Sequence, residues 1–386
     1  MPTRRLSGKA APADSCAGRK GEVMECDKET LRLMEELTQA IGVSGQERQV
    51  CRILNRYYEA LADEVVRDSN GSIYAVRHTD APGPFRVMVA AHSDEVGMVV
   101  KQIKPNGLIK TSTIGGLWED VLLGARLRLC TDDDREFRGC VSALSTKMMR
   151  DKISAGSRIP TGELYMDFGF LSEEDARAQG VLEGNQIVVD GPFAVLNGGR
   201  RLLAKAWDNR FGCILGIELL RRLKDVPLPF ELYVGANVQE EVGLRGARTA
   251  ANLIQPDLAV VLDCTAANDV ERFEPPCGGI GHGVMVRFND GTYLPNRAVL
   301  LDYLALLKEE KIPFQFHESK GGTDAGAINS SGCGVPALTA CICARNVHTG
   351  SLMIDSQDYL HCLEAVTAWI SRLTAEKLER FRHHNS

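Results

Sequence analysis

The chain is 386 residues long, 44% apolar and 25% charged, with 45 basic against 51 acidic residues and a net charge of −6. That length favours two domains over one, and the composition is that of a soluble globular protein. The mixed, slightly acidic charge gives no ground for nucleic acid or an anionic membrane as partner, and no apolar run is long enough to span a bilayer.

The opening stretch MPTRRLSGKAAPADSCAGRKGEV is polar and basic without an apolar core, so it does not read as a secretory signal. Its Ala, Gly, Ser and Pro bias predicts a disordered tail over residues 1–23, with Met24 the true start or the tail dispensable. From Asp27, the residues Leu31, Leu33, Met34, Leu37 and Ile41 form one helical stripe, and Val50, Ile53, Leu54, Tyr57 and Leu61 a second. Ser44, with Glu47 three residues on, reads as a capping box for the second helix. VVRDSNGSIYAV predicts a hairpin turning at Asn70-Gly71, and FRVMVAAH a strand buried on both faces.

From about Asp94 to Asp190 short alternating runs, broken by Gly, Asn and Asp turns, predict a β-rich module. PNG at 105–107 and TDDD at 131–134 are its expected hairpin tips. SEEDARAQG is its one plain helix, capped by Ser172 and ended by Gly180. From Ala204 helices and strands alternate to the end, with SQDYLHCLEAVTAWISRL as the last expected helix. Such alternation implies an α/β fold with a mostly parallel sheet and helices on both faces. The β-rich module, 94–188, is then an insertion between the two parts of that domain, 24–93 and 189–386. The twelve cysteines are scattered without a CxxC pair and read as buried thiols of a reducing cytosol.

Ligands of open α/β sheets bind beyond the carboxyl ends of the strands. Five segments deliver His, Asp or Glu to that edge. VMVAAHSDE ends in His92, Asp94 and Glu95, and LLAKAWDNR places Asp208 before a helix. YVGANVQEE ends in Glu240 and Glu241, LAVVLDCT carries Asp263, and TACICARNVH ends in His348. Each alone has a plainer reading: a helix cap for Asp208, a turn for Asp263, a solvated patch for the paired glutamates, a core hydrogen bond for each histidine. Those readings do not account for all five together, because carboxylates ending buried apolar strands are costly unless a cation compensates. Two histidines and several carboxylates without a thiolate suit zinc, cobalt or manganese. GGIGHG at 278–283 lacks both the GxGxxG spacing and a P-loop lysine, and no GxSxG elbow occurs.

In this order, AHSDEVG, KAWDNRFGC, QEEVGLRGA, VLDCT, GGTDAGAI and RNVH resemble the tetrahedral (TET) aminopeptidases, metallopeptidase family forty-two, over nearly the whole chain. The resemblance implies a zinc-exopeptidase-like domain carrying a dimerisation insertion. It also implies hydrolysis of the N-terminal residue of short peptides by two divalent ions, zinc or cobalt, with manganese also fitting. His92 and Asp263 would hold one ion, Glu241 and His348 the other, and Asp208 would bridge them. Glu240 would be the general base toward a hydroxide held between the ions, and Asp94 would orient His92 by accepting its other ring N–H. Partners would be peptide substrates and further copies of the chain, in dimers and dimer-built hollow dodecamers, in the cytoplasm. ARNVHTGS departs from the family pattern, which has an aromatic residue before the last His and Ser-Pro after it. Arg345 and Lys320, near the expected pocket, would favour an acidic first residue if they are not plain surface charges. Two rivals stand: a glycoside hydrolase using paired carboxylates, against which 6% aromatic residues offer few sugar platforms, and a non-catalytic oligomeric scaffold.

Overall fold

The computed structural model describes residues 25–143, 163–271 and 278–383, so the tail expected over 1–23 lies outside the described residues. The two N-terminal stripes form helices Lys28–Gln39 and Arg48–Leu61, burying Leu33, Met34 and Leu37 from the first and Val50, Leu54 and Tyr58 from the second. The capping box does not form. Glu47 occupies the N-cap position but makes no cap bond to the helix. Its carboxylate instead accepts N–H groups from Gly45 at 2.7 Å and Gln239 at 3.0 Å, and the Ser44 hydroxyl donates to Asp94 at 2.6 Å.

The main sheet has eight strands. In spatial order they are Glu64–Arg67, Ile73–Arg77, Phe230–Asn237, Phe85–His92, Leu258–Ala266, Ala337–Ala344, Val284–Asn289 and Phe314–Glu318. Its four central strands are parallel, while the N-terminal hairpin joins antiparallel at one side. The hairpin turn is held by Asp68, whose Oδ1 accepts the N–H groups of Asn70, Gly71 and Ser72. Alternate residues of Phe85–His92 enter cores on opposite faces. Val87, Val89 and Ala91 pack under helix Trp207–Leu223, in a core that extends to helices Arg297–Glu309 and Ser356–Ser371. Met88 and Ala90 pack under the short helices Arg245–Ile254 and Asp324–Asn329. Both faces are therefore covered, and the central strands are mostly apolar along their middles, as buried parallel strands are.

The inserted module is a closed barrel of six strands, Gly97–Ile103, Ile109–Ile114, Arg126–Cys130, Glu136–Ser142, Tyr165–Asp167 and Gln186–Val189. It has its own core of Met98, Ile109, Leu127, Leu129, Met166 and Ile187. Its first hairpin turns at Gly107, where φ is +81° and an added Cβ would sit 2.1 Å from the Phe170 carbonyl oxygen, so only glycine fits. The helix Glu173–Ala178 carries the Ser172 cap, which accepts the Asp175 N–H.

Three features were not anticipated. A small antiparallel sheet joins Ala194–Leu196, Arg201–Ala204 and Leu352–Asp355. The strand Val284–Asn289 pairs parallel to the edge strand Phe314–Glu318 and antiparallel to Ala337–Ala344. A further helix, Ala375–Arg382, follows the one expected to be last. The small sheet matters for function: Asp208 follows its middle strand and His348 precedes its last.

Candidate active site

The five strand-end segments converge. His92 ends its strand almost fully buried, with Nε2 3.2 Å from Asp208 Oδ1, 3.8 Å from Asp263 Oδ1 and 3.9 Å from Glu240 Oε2. His348 lies opposite, its Nε2 3.2 Å from Glu241 Oε2 and 3.6 Å from Asp208 Oδ2. The two oxygens of Asp208 thus face two different histidines. Two groups of potential ligand atoms, His92–Asp208–Asp263 and Asp208–Glu241–His348, each lie within 4.8 Å of one another and share Asp208. A third group, also within 4.8 Å, joins His92 to Glu240 and Glu241.

Asp208 stands in the first turn of helix Trp207–Leu223 but does not cap it. Its φ and ψ of −85° and 103° are non-helical, which aims its carboxylate away from the helix and into the cluster. The next residue, Asn209, ties that turn to the Asp263 strand by donating to the Leu262 carbonyl at 2.7 Å. Gly212 lets the helix approach so closely, since a Cβ there would meet Ala91 Cβ at 2.7 Å and the Leu262 carbonyl at 2.9 Å.

Both histidines are oriented from behind. The Nδ1 of His92 lies 3.2 Å from the backbone carbonyl of Asp94, and that of His348 lies 2.9 Å from the carbonyl of Gly116. A carbonyl only accepts, so each Nδ1 carries a proton, which leaves Nε2 as the nitrogen that can give up its proton and offer a lone pair to a cation. Asp94 stands behind the same nitrogen of His92 as expected, and it has a second task. Its Oδ1 lies 3.5 Å from His92 Nδ1, and the same carboxylate also serves the turn that carries the glutamates. Asp94 Oδ1 accepts the Glu240 N–H at 3.0 Å and Oδ2 accepts the Glu241 N–H at 3.1 Å. The two glutamates would point to opposite faces on a continuing strand. The strand ends at Asn237, Gln239 turns into the left-handed region at φ +56°, and Asp94 then grips the turn.

Glu95, expected at the same edge, is not among the clustered donors. It forms a buried ion pair with Lys205 at 2.7 Å and Arg210 at 3.1 Å. Arg345 is committed to Asp269 through two bonds of 2.8 and 3.0 Å, and Lys320 stands exposed on the turn after the edge strand. With its charge met by Asp269, Arg345 is not a free clamp for an acidic substrate residue, and the geometry lends that expectation no support. The GGIGHG loop has an internal occupant: its Gly281 and Gly283 N–H groups donate to the buried Asp358 carboxylate at 2.6 and 2.7 Å.

Two groups escaped the sequence reading. Gly116, on the barrel, orients His348. Asp324 opens the helix after the edge strand, in a segment quoted for the resemblance but given no role. It is 1% exposed and accepts from the Asn237 side chain at 2.9 Å. Asn237 in turn accepts from the Tyr74 hydroxyl at 2.7 Å.

The electrostatics describe a cluster short of positive charge. Burial, reinforced by Asp208, pushes the Asp263 carboxyl up to about 8, and burial raises Asp324 to about 7. Glu240 and Glu241 are also raised, chiefly by burial. Burial opposes the charged form of His348, yet Glu241 and Asp208 hold it up at about 9. Such a set is neutralised by protons or by cations, and its oxygen and imidazole donors suit a divalent transition metal.

A stability test follows from the sign of these shifts. Asp263 contributes stability that is complete below the usual carboxylate range and lost as pH rises through about 8. His348 contributes stability that is complete below the usual imidazole value and lost as pH rises through about 9. The chelated protein is therefore expected to melt at progressively lower temperature from about pH 6 to pH 9, while the gain in Tm on adding Zn²⁺ grows over the same range. A chelated protein whose Tm stays flat or rises across that window contradicts this account.

Comparison with known proteins agrees with this geometry. Residues 71–364 match the pattern of the M42 glutamyl aminopeptidases. The glutamyl aminopeptidase of Lactococcus lactis is 32% identical over 352 residues, covering 91% of this chain and 98% of the relative. The chain belongs to the M42 family. A TET aminopeptidase from a marine-sediment thaumarchaeote superposes with a TM-score of 0.86 at 34% identity, over 92% of this chain and 99% of that one. The Pyrococcus horikoshii TET1 peptidase, described as able to form a tetrahedron or a large octahedral shell, superposes with a TM-score of 0.77 at 25% identity, over 89% of this chain and all of that one. This M42 protein is a metallo-aminopeptidase, a metal-dependent hydrolase built on the TET peptidase fold. Among its described residues, no helix is long and apolar enough to cross a membrane.

Proposed function

We propose that this M42 enzyme removes the N-terminal residue from short peptides with two divalent cations, zinc or cobalt, manganese also fitting. One would be held by His92 and Asp263, the other by Glu241 and His348, with Asp208 between them. The observation that carries this reading is Asp208, whose Oδ1 faces His92 at 3.2 Å and whose Oδ2 faces His348 at 3.6 Å. When bound, two such ions acidify a water nucleophile and polarise the scissile carbonyl.

The chain's own residues do the rest. Glu240, buried beside His92, takes a proton from the attacking water and returns it to the leaving amine. The Asp94 and Gly116 carbonyls hold the imidazoles in the tautomer that presents Nε2. Asp94 keeps Glu240 and Glu241 on the same side through their N–H groups. A free α-amine can bind one metal or a nearby carboxylate, which restricts cleavage to the first residue. The barrel, residues 94–188, is assigned to dimerisation, with dimers building larger shells such as the dodecamers of related enzymes. The ten cysteines among the described residues are all free thiols, in keeping with a cytoplasmic enzyme.

The test is chelation followed by Zn²⁺ or Co²⁺ addition, read on a panel of aminoacyl-p-nitroanilides with metal counted by mass spectrometry. Activity should vanish and return with two equivalents bound. Chelator-insensitive cleavage, or full activity at one equivalent, overturns the reading.

A further inference from the structure

Glu47 is an unusual residue to find buried at the mouth of a helix it does not cap. It is 5% exposed, and its Oε1 accepts from Gly45 N at 2.7 Å and from Gln239 N at 3.0 Å. Gln239 is the left-handed residue immediately before Glu240 and Glu241. Together with the two Asp94 bonds, three consecutive N–H groups, from 239, 240 and 241, are each received by a buried carboxylate oxygen. Successive N–H groups in such a turn form a concavity that binds anions. Here the anions belong to the chain itself. Ser44, three residues before Glu47, donates to the same Asp94, so the 42–47 loop holds both carboxylates against the turn. The loop is itself pinned: Glu95 N donates to the Gly42 carbonyl at 2.9 Å.

We propose that Glu47 is a positioning residue of the reaction: by accepting the Gln239 N–H it fixes the left-handed turn that brings Glu240 and Glu241 to the same side. The inference rests on the two-metal reading of those glutamates. Glu47 touches neither glutamate side chain. It acts on where they stand, so its loss should appear in kcat and in metal retention more than in KM.

The experiment uses the full chain, purified and reloaded with Zn²⁺, with three substitutions at this position. Glu47→Ala removes the acceptor. Glu47→Asp keeps the charge but withdraws the oxygen by one methylene. Glu47→Gln keeps a carbonyl oxygen at the same reach without the charge. Ala and Asp should each lose roughly 10- to 100-fold in kcat or zinc affinity, as groups that orient ligands do, with KM little changed. Gln should recover most of that loss. If Ala fails to fold, the contrast of Asp with Gln carries the test. Wild-type kcat and zinc affinity in the Asp variant overturn the inference, as does a Gln variant as impaired as Asp. If wild type itself shows no zinc-dependent cleavage, the two-metal reading fails and this inference with it. If wild type does and the Asp variant equals it, only the role of Glu47 fails.

Discussion

Glu240→Gln is expected to leave both metals bound while kcat falls by about 10²- to 10⁴-fold. The substitution keeps the side chain's size and its place beside His92, 3.9 Å from Nε2. It removes only the ability to take and return a proton. The neighbour gives the converse. Glu241 faces His348 at 3.2 Å, so Glu241→Gln is expected to weaken zinc binding, and its rate should recover as zinc is raised. Zinc titrations of the two variants, read by calorimetry and by initial rates, separate the roles. If Glu240→Gln loses zinc, or Glu241→Gln keeps it and loses rate at saturation, the roles are wrongly assigned.

Asp208→Asn should be the most damaging single change at the site. An amide presents one acceptor oxygen and one NH₂ group, so one of the two histidine-facing positions becomes a donor. Metal content should fall from two equivalents to at most one, with peptide cleavage below detection. Asp208 is the charge that, after burial itself, most raises the neighbouring Asp263. Neutralising it relieves that repulsion but also removes a charge partner of His92 and His348, so the decisive thermal readout is the response to zinc. The variant's gain in Tm on adding Zn²⁺ should largely disappear. A variant that retains two equivalents of zinc would show that Asp208 is no bridge.

Much of this architecture is legible in the sequence because the relevant signals are local. Each of the runs ending in His92, Asp263 and Glu240 is a long apolar stretch, and such stretches mark buried parallel strands without further context. Polar groups at their ends stand out for the same reason. A β-rich insertion, though not its closure into a barrel, follows from short alternating runs with glycine turns. What was not legible depends on partners far away in the chain. Glu47 meets Gln239 across 192 residues and His348 meets Gly116 across 232, and no spacing rule connects them. Ser44 and Glu47 matched a local capping pattern, but burying two carboxylates against three N–H donors overrode it. Arg345 looked like a free cation because Asp269, on a different segment, could not be foreseen as its partner. The strands Ala194–Leu196 and Arg201–Ala204 are too short to show periodicity.

The bond between His348 and Gly116 has one more consequence. The barrel cannot be lifted out of this protein as a passive spacer. Gly116 accepts from the His348 ring, the Trp118 N–H donates to the His348 carbonyl at 3.1 Å, and a side chain at 116 would collide with the imidazole at 2.9 Å. An engineer who trimmed the insertion to obtain a minimal catalytic unit would leave that imidazole free to rotate, along with the half of the site it serves. Gly116 is thus one of the ties that make the two modules one working part.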